Sequence, residues 1–295
     1  IIHNTMLNNI YRAIVLNGDA QNVLIQGNQM LNNGFGHPQN IGNAIVIRDI
    51  NGDPIPLGPN KDITIRQNNI VGNKSGVWAR AGGITGFLQM DANRIFDNED
   101  FGFNNEEASL VADVQNNWWG CNAGTLDLAG GCDLVQGSAD ANPWVLLRLI
   151  PDATNIFTGG SVGLQSDLTQ NADGQTLPHP LVDNIPTSFA TNLGDVSPSS
   201  TIANAGIAHS NFTAPAATGT ATLSTTVDNQ TISLDINFQN PITPPPPGPP
   251  ALSLQGSGSS CSFNEAVFFS SGSSFSAWAF LSILLIHIKM RVRRK

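Results

Sequence analysis

Ile63-Thr64-Ile65-Arg66-Gln67-Asn68-Asn69-Ile70-Val71-Gly72-Asn73 sets the architecture of the first 120 residues, because its pattern recurs. Aligned on Asn4, Asn28, Asn68, Asn93 and Asn116, the chain places Met6, Met30, Ile70, Ile95 or Trp118 two residues later. Three residues earlier stand Ile1, Ile25, Ile65 and Met90, and Asp113 breaks the series. Five residues later Asn9, Asn33, Asn73 and Asn98 recur, and Cys121 ends the run. The spacings are 24, 40, 25 and 23 residues, so one unit carries an insertion of about 16. A period in this range marks stacked units, since one unit cannot bury its apolar face alone.

The local period separates strands from helices. Val23-Leu24-Ile25 and Ile63-Thr64-Ile65 are short β-branched runs, Ala13-Ile14-Val15-Leu16 and Ala44-Ile45-Val46-Ile47 are a second set, and Gly36, Gly76 and Gly102 punctuate them. No segment holds a helical period for the 10–12 residues a helix needs. Three short strands per coil describe an all-β parallel β-helix over residues 1–120. Asn suits its corners because the side chain tolerates the left-handed region and bonds the equivalent backbone one coil away. Stacking therefore accounts for the ladder without a ligand. The repeats closely resemble the right-handed β-helix family of bacterial surface proteins and polysaccharide-degrading enzymes, which implies the right-handed form.

Composition narrows the function classes. The chain has 13 Lys and Arg against 22 Asp and Glu, a net charge of −9. Five of the basic residues, Lys289, Arg291, Arg293, Arg294 and Lys295, sit at the C-terminus, so everything before them is more acidic still. Nucleic-acid binding needs a basic footprint; no nucleic-acid partner is expected. The chain opens inside a repeat with no leader ahead of it, and further coils are expected upstream.

The repeats stop at Asn117-Trp118-Trp119-Gly120-Cys121, followed by Gly130-Gly131-Cys132 and Asn142-Pro143-Trp144. This segment, residues 121–144, resembles the NWWG-type closing cap of bacterial β-helix surface proteins. Adjacent Trp residues on a strand face opposite ways, so of Trp118 and Trp119 one can plug the apolar end while the other packs outside, and Trp144 joins the cap. Cys121 and Cys132 lack the further ligands of a zinc site. In an exported protein they are expected as a disulfide contributing about 2–3 kcal/mol.

Residues 145–240 change texture. Val162, Leu164 and Leu168 alternate, as do Ala221, Leu223 and Val227, and after a turn at Asp228-Asn229-Gln230, Ile232, Leu234, Ile236 and Phe238 alternate back. Alternation bounded by turns predicts antiparallel strands of a β-sandwich. The order Gly160-Ser161-Val162, Asn171-Ala172-Asp173-Gly174, Ser188-Phe189-Ala190, Val196-Ser197-Pro198, Phe212-Thr213-Ala214-Pro215 and Gly219-Thr220-Ala221 resembles invasin-like bacterial Ig-like domains. In that family such modules are spacers or adhesive stalks without catalytic residues. Pro178-His179-Pro180 departs from the family's usual loop.

A Pro/Gly/Ser-rich linker follows over 241–260, with six prolines between Pro244 and Pro250. The tail, 261–295, holds an uncharged stretch over 266–288 ahead of the basic cluster. It predicts one short transmembrane helix with its basic end cytoplasmic. The layout resembles the C-terminal sorting signals of Gram-negative surface proteins. Cys261 is a candidate for processing or lipidation, with an unpaired thiol as the alternative.

Catalytic signals are sparse. Asp91 shares the register of Arg66 one coil earlier, which predicts an exposed ion pair of little energetic weight. Asp97, Glu99, Asp100, Glu106 and Glu107 around Phe101 and Phe103 are expected as solvated corner residues, with weak calcium ligands or catalytic carboxylates as the alternatives. Asp49, Asn51 and Asp53 in Asp49-Ile50-Asn51-Gly52-Asp53 suggest weak calcium ligands, although no bidentate Glu follows at the required distance. No cofactor is expected beyond that calcium. These signals favour an exported cell-surface or outer-envelope protein that presents a β-helix on an Ig-like stalk and adheres to an extracellular glycan or protein surface, without catalysis in this stretch. The alternatives are a polysaccharide lyase or hydrolase whose active coils lie upstream, and a purely structural spacer.

Overall fold

A computed structural model of the protein describes residues 1–36, 42–49, 57–126, 131–241 and 248. Apart from one 3-10 turn at Gly124–Leu126, the regular structure is entirely β. Stack and sandwich share one compact unit, Ile1–Thr243.

The first coil supplies β1 (Thr5–Leu7), β2 (Arg12–Asn17) and β3 (Gln21–Gln26). The second supplies β4 (Gln29–Leu31), β5 (Asn43–Arg48) and β6 (Asn60–Arg66). The third supplies β7 (Asn69–Val71), β8 (Val77–Ala79) and β9 (Ile84–Asp91). The fourth supplies β10 (Arg94–Phe96), β11 (Phe103–Asn105) and β12 (Ala112–Asp113), and β13 (Val135–Gly137) and β14 (Ala139–Asp140) complete the stack. Each strand pairs in parallel with its counterpart one coil on, giving the three sheets β1-β4-β7-β10, β2-β5-β8-β11-β13 and β3-β6-β9-β12-β14. The extra residues of the second coil fall in the β4–β5 and β5–β6 connections, so the strands keep their register.

The β-branched and apolar residues recur because they form files through the interior. Met6, Met30, Ile70 and Ile95 are register partners in the first sheet. Ile14, Ile45, Val77, Phe103 and Val135 form a second file, and Ile25, Ile65 and Met90 a third. Most of these side chains have no solvent exposure. At about 25 cal/mol per Å² of apolar surface, such files dominate the stabilisation of a stack.

The corners depart from expectation in one instructive way. Left-handed backbone belongs to the residue before each ladder Asn: His3, Gly27, Gln67, Ala92 and Asn116 have φ of 54°, 66°, 53°, 51° and 57°. Asn116 is therefore the corner residue, and Asn117 takes the ladder position. The offset explains why Asp113 looked out of pattern. Counted from Asn117, the residue three earlier is Val114, which is fully buried in the stack interior.

Beyond the stack, β15 (Val145–Pro151), β16 (Asn155–Phe157), β17 (Ser161–Asn171), β18 (Ile185–Thr191) and β19 (Asp195–Ser197) begin a sandwich. It is completed by β20 (Ser200–Ala203), β21 (Ile207–Thr213), β22 (Gly219–Val227) and β23 (Gln230–Gln239). One sheet runs β15-β17-β21-β19 and the other β16-β23-β22-β18-β20. All neighbours are antiparallel except β16 with β23. Val162, Leu164, Leu168 and Phe212 from one sheet share a core with Ile185, Phe189, Leu223, Val227, Ile236 and Phe238 from the other.

Candidate functional site

Two asparagine ladders run through the stack. In the first, each Oδ1 accepts both the backbone N–H and the side-chain amide of the Asn one coil earlier. Asn28 donates to Asn68 at 2.9 Å twice, Asn68 to Asn93 at 2.9 Å twice, and Asn93 to Asn117 at 3.0 and 2.9 Å. Asn4 joins the same series through Asn28. Each amide also donates to backbone carbonyls, as Asn68 does to Ile25 and Arg66. These side chains are spent on the fold, since a buried polar group must be paired. Asn116 lies outside the ladder, and its Oδ1 accepts from Asn171 of the sandwich at 2.8 Å.

The second ladder links Asn9, Asn33, Asn73 and Asn98 and ends on a carboxylate. Asn98 Nδ2 donates to Asp133 Oδ2 at 2.5 Å, and its backbone N–H lies 3.2 Å from Oδ1. Burial, with the charge of Asp97 adding to it, pushes the Asp133 carboxyl up to about 7 against the pull of the Asn98 hydrogen bonds. Its neighbour Cys132 forms a disulfide with Cys121, the Cα atoms being 5.2 Å apart. The tryptophans divide between two cores. Trp119 packs in the stack interior, and Trp118 belongs to the sandwich core. Trp144 is half-buried against the stack and donates to the Asn122 carbonyl at 3.0 Å.

Trp118 marks a seam that residue patterns did not disclose. Asp228, in the β22–β23 turn, accepts from Trp118 Nε1 at 2.7 Å and from Arg94 Nε at 3.0 Å, with a second Arg94 contact through Nη2. Arg94 and Asp228 have side chains only 8% and 3% exposed. A second cluster lies nearby. His179 Nδ1 is 2.7 Å from Asp91 Oδ1, while its Nε2 is 3.0 Å from Arg66 Nη1. The expected exposed Arg66–Asp91 pair is thus corrected: the two are register partners, but Asp91 is buried and the imidazole of the departing Pro178-His179-Pro180 loop stands between them. A cleft of about 380 Å³ beside this loop is lined by His3, Gln26, Gln67, Pro180, Asp183 and Asn184. Its glutamines are engaged, with Gln26 donating to Gln67 and Gln67 to the Pro180 carbonyl.

The acidic residues Asp97, Glu99, Asp100 and Glu106 are exposed, as expected of corner residues, and several of the patch are also partnered. Lys74, almost wholly buried, pairs with Glu99 at 2.6 Å and Asp100 at 2.9 Å, and both carboxylates hold the Lys74 ammonium above its ordinary value. Ser75 Oγ donates to Asp100 at 2.9 Å. Glu107 accepts from Ser109 and from the Gly82 backbone N–H, contacts that lower its carboxyl. These acids therefore fasten neighbouring coils.

On the second sheet, Val15, Val46, Trp78, Asn104 and Gln136 form an outward file in register. The next outward positions are Asn17, Arg48, Arg80 and Glu106. Arg48 Nε donates to Asn17 at 2.8 Å, and the Arg80 guanidinium lies 5.0 Å from the Trp78 ring centroid.

Among the described residues no group of three or more His, Cys, Asp or Glu is placed to hold a metal ion. Asn51 and Asp53, two of the three suggested calcium ligands, lie outside the described residues, as do Cys261, most of the linker and the 266–288 segment. No helix among the described residues is long and apolar enough to cross a membrane.

Neither protein-family models nor curated proteins match the chain. Among solved structures, the D0–D1 domain of intimin is 17% identical, covering 34% of this chain and 51% of its own, with a TM-score of 0.27. The Yersinia pseudotuberculosis adhesin InvE is 14% identical over 37% of this chain and 36% of its own, at 0.27. A glycosyl hydrolase family 2 member from Bacteroides cellulosilyticus is 15% identical over 37% of this chain and 16% of its own, at 0.29. The matched part of this chain spans about half of the intimin fragment and less of the others. Likenesses this slight assign neither a fold nor a role.

Proposed function

We propose that this chain is part of an exported bacterial surface protein in which the stack, a right-handed parallel β-helix closed by the Trp118–Trp119 segment, is presented by an Ig-like stalk and binds a glycan or protein partner. The domain order is 1–120 for the β-helix, 121–144 for its cap and 145–240 for the stalk, followed by linker and sorting tail. The observation that carries this reading is the seam. Trp118, buried in the sandwich core, and the Arg94–Asp228 pair make stack and stalk one body. A partner-binding protein gains from such a joint, because a surface held rigid loses less entropy on binding. On the same body, Trp78 and Arg80 of the outer sheet face are half-exposed.

Beads coated with the full chain should attach saturably to extracellular-matrix or cell surfaces, and soluble chain should displace them. Attachment no greater than that of albumin-coated beads would refute the reading.

A further inference from the structure

Three Asn-x-Ser/Thr triplets occur in the chain: Asn73-Lys74-Ser75, Asn211-Phe212-Thr213 and Asn229-Gln230-Thr231. Such a triplet is the acceptor signal for a glycan on the Asn amide, and it acts where the Asn reaches the surface of an exported protein. A chain this rich in Asn and Thr contains triplets by composition alone, so burial and bonding must separate them. Asn73 is fully buried, and its amide is held by the Asn98 side chain and the Met30 carbonyl. Asn229 is exposed but bonded into the seam. Its amide donates to the Gly131 carbonyl at 3.1 Å, and Thr231 Oγ1 lies 2.8 Å from Thr226 Oγ1. A sugar at either position would break the second ladder or wedge between stack and sandwich.

Asn211 differs. Side chains two apart on a strand share a face, so on β21 Asn211 and Thr213 both stand outward while Phe212 fills the core between them. Among the described residues no hydrogen bond engages the Asn211 side chain. Its register neighbours are Gly163 on β17 and Ser197 on β19, one without a side chain and the other short. The Asp152 carboxylate reaches over Gly163, which leaves the Ser197 side the roomier. No large apolar side chain of β17, β19 or β21 is exposed, so a sugar on this face covers nothing that packing needs.

We propose that Asn211 is the acceptor for an N-linked glycan. In the transfer, Asn211 Nδ2 bonds to the anomeric carbon of a sugar activated as its diphosphate ester, carried on a nucleoside or a lipid. The bond from that carbon to the diphosphate oxygen breaks, the diphosphate leaves with the electron pair, and the amide gives up one proton. Thr213, on the same face, completes the signal read by the transferase. The inference draws on the surface reading for export alone, since the site lies on the sandwich and not on the stack.

The test uses the full chain purified from the cells that produce it. Residues 149–288 contain no Lys or Arg, so cleavage at Asp takes the place of trypsin. Cuts after Asp195 and Asp228 free residues 196–227, which carry Asn211 without Asn73 or Asn229. Mass spectrometry is expected to find this peptide heavier by whole sugar residues, with fragmentation assigning them to Asn211. The increment should vanish in N211Q and in T213A and persist in T213S and N229Q; all four variants change exposed positions and leave the core intact. A peptide of unmodified mass, sugar that survives in T213A, or sugar on Asn73 or Asn229 in its place overturns the proposal. Sugar at Asn211 already present on cytosolic chain supports it with a nucleoside donor, and sugar on exported chain alone supports it with a lipid-linked one. A glycosylated chain that fails to attach in the bead assay overturns the surface-binding reading and leaves Asn211 standing, and attachment by a sugar-free chain does the reverse.

Discussion

Replacing Asp133 with Asn should make the protein more stable at and above neutral pH. Asp133 terminates the second ladder at a position where the other coils carry an Asn, and it accepts from the Asn98 backbone and side chain as they do. An Asn there can offer one oxygen to both donors, as Asn98 does for Asn73. What differs is charge. The folded pKa of about 7 lies above the ordinary 3.8, because burial disfavours the carboxylate. A group raised on folding contributes stability that is complete below about pH 4 and is lost as pH climbs through 7. The full loss is about 4 kcal/mol, at 1.36 kcal/mol per unit. For a unit of this size that amounts to a midpoint shift on the order of 10 °C. Guanidinium unfolding of native and D133N chains under non-reducing conditions, followed by tryptophan fluorescence from pH 4.5 to 8.5, isolates the effect, since all other groups titrate alike in both. The stability difference should grow in favour of D133N with rising pH and level off above 8. Parallel profiles would show that Asp133 is ionised at no cost, and the account of the ladder's end would be wrong.

Three further outcomes are expected. N117A should cost several kcal/mol by stranding the Asn93 donors and three carbonyls, whereas N116G, at a left-handed corner, should cost about 1 kcal/mol or less; chemical denaturation compares them. D228A should destabilise by about 3–5 kcal/mol, because it leaves the Arg94 guanidinium buried and unpaired, and limited proteolysis should then open the chain near residue 144. Removing residues 261–295 should release soluble chain that retains its β circular-dichroism signal, and a truncated chain that still sediments with membranes after a high-salt wash would show that the anchor lies elsewhere.

The coil period was legible because the physics repeats locally. A strand of β-branched residues, a left-handed corner and a saturated amide must recur in every turn of a stack, and they do so at Asn28, Asn68 and Asn93. The last turn misled because two asparagines stand side by side. The signal was present: Asp113 broke the apolar file that Val114 restores. The end of the second ladder was hidden, since it changes residue type to Asp133 and lies 35 residues beyond Asn98 instead of a coil length. The seam left no local trace, as its partners are 88 to 134 residues apart. Asp228 reads as an ordinary turn residue and His179 as a loop irregularity until the two modules are seen together.

The Cys121–Cys132 bond has a mechanical consequence. The segment between these residues joins β12 to β13, so the bond closes a loop inside the stack, ahead of its last two strands. Fully extended, the 11-residue separation would open by roughly 30 Å before resisting. The crosslink instead carries tension directly across Cα atoms 5.2 Å apart. Where an anchored protein is pulled through its far end, β13 and β14 stay leashed to the coil they close in an oxidising medium; a reductant would lengthen that leash, letting these two strands and the sandwich beyond them peel away while the earlier coils hold.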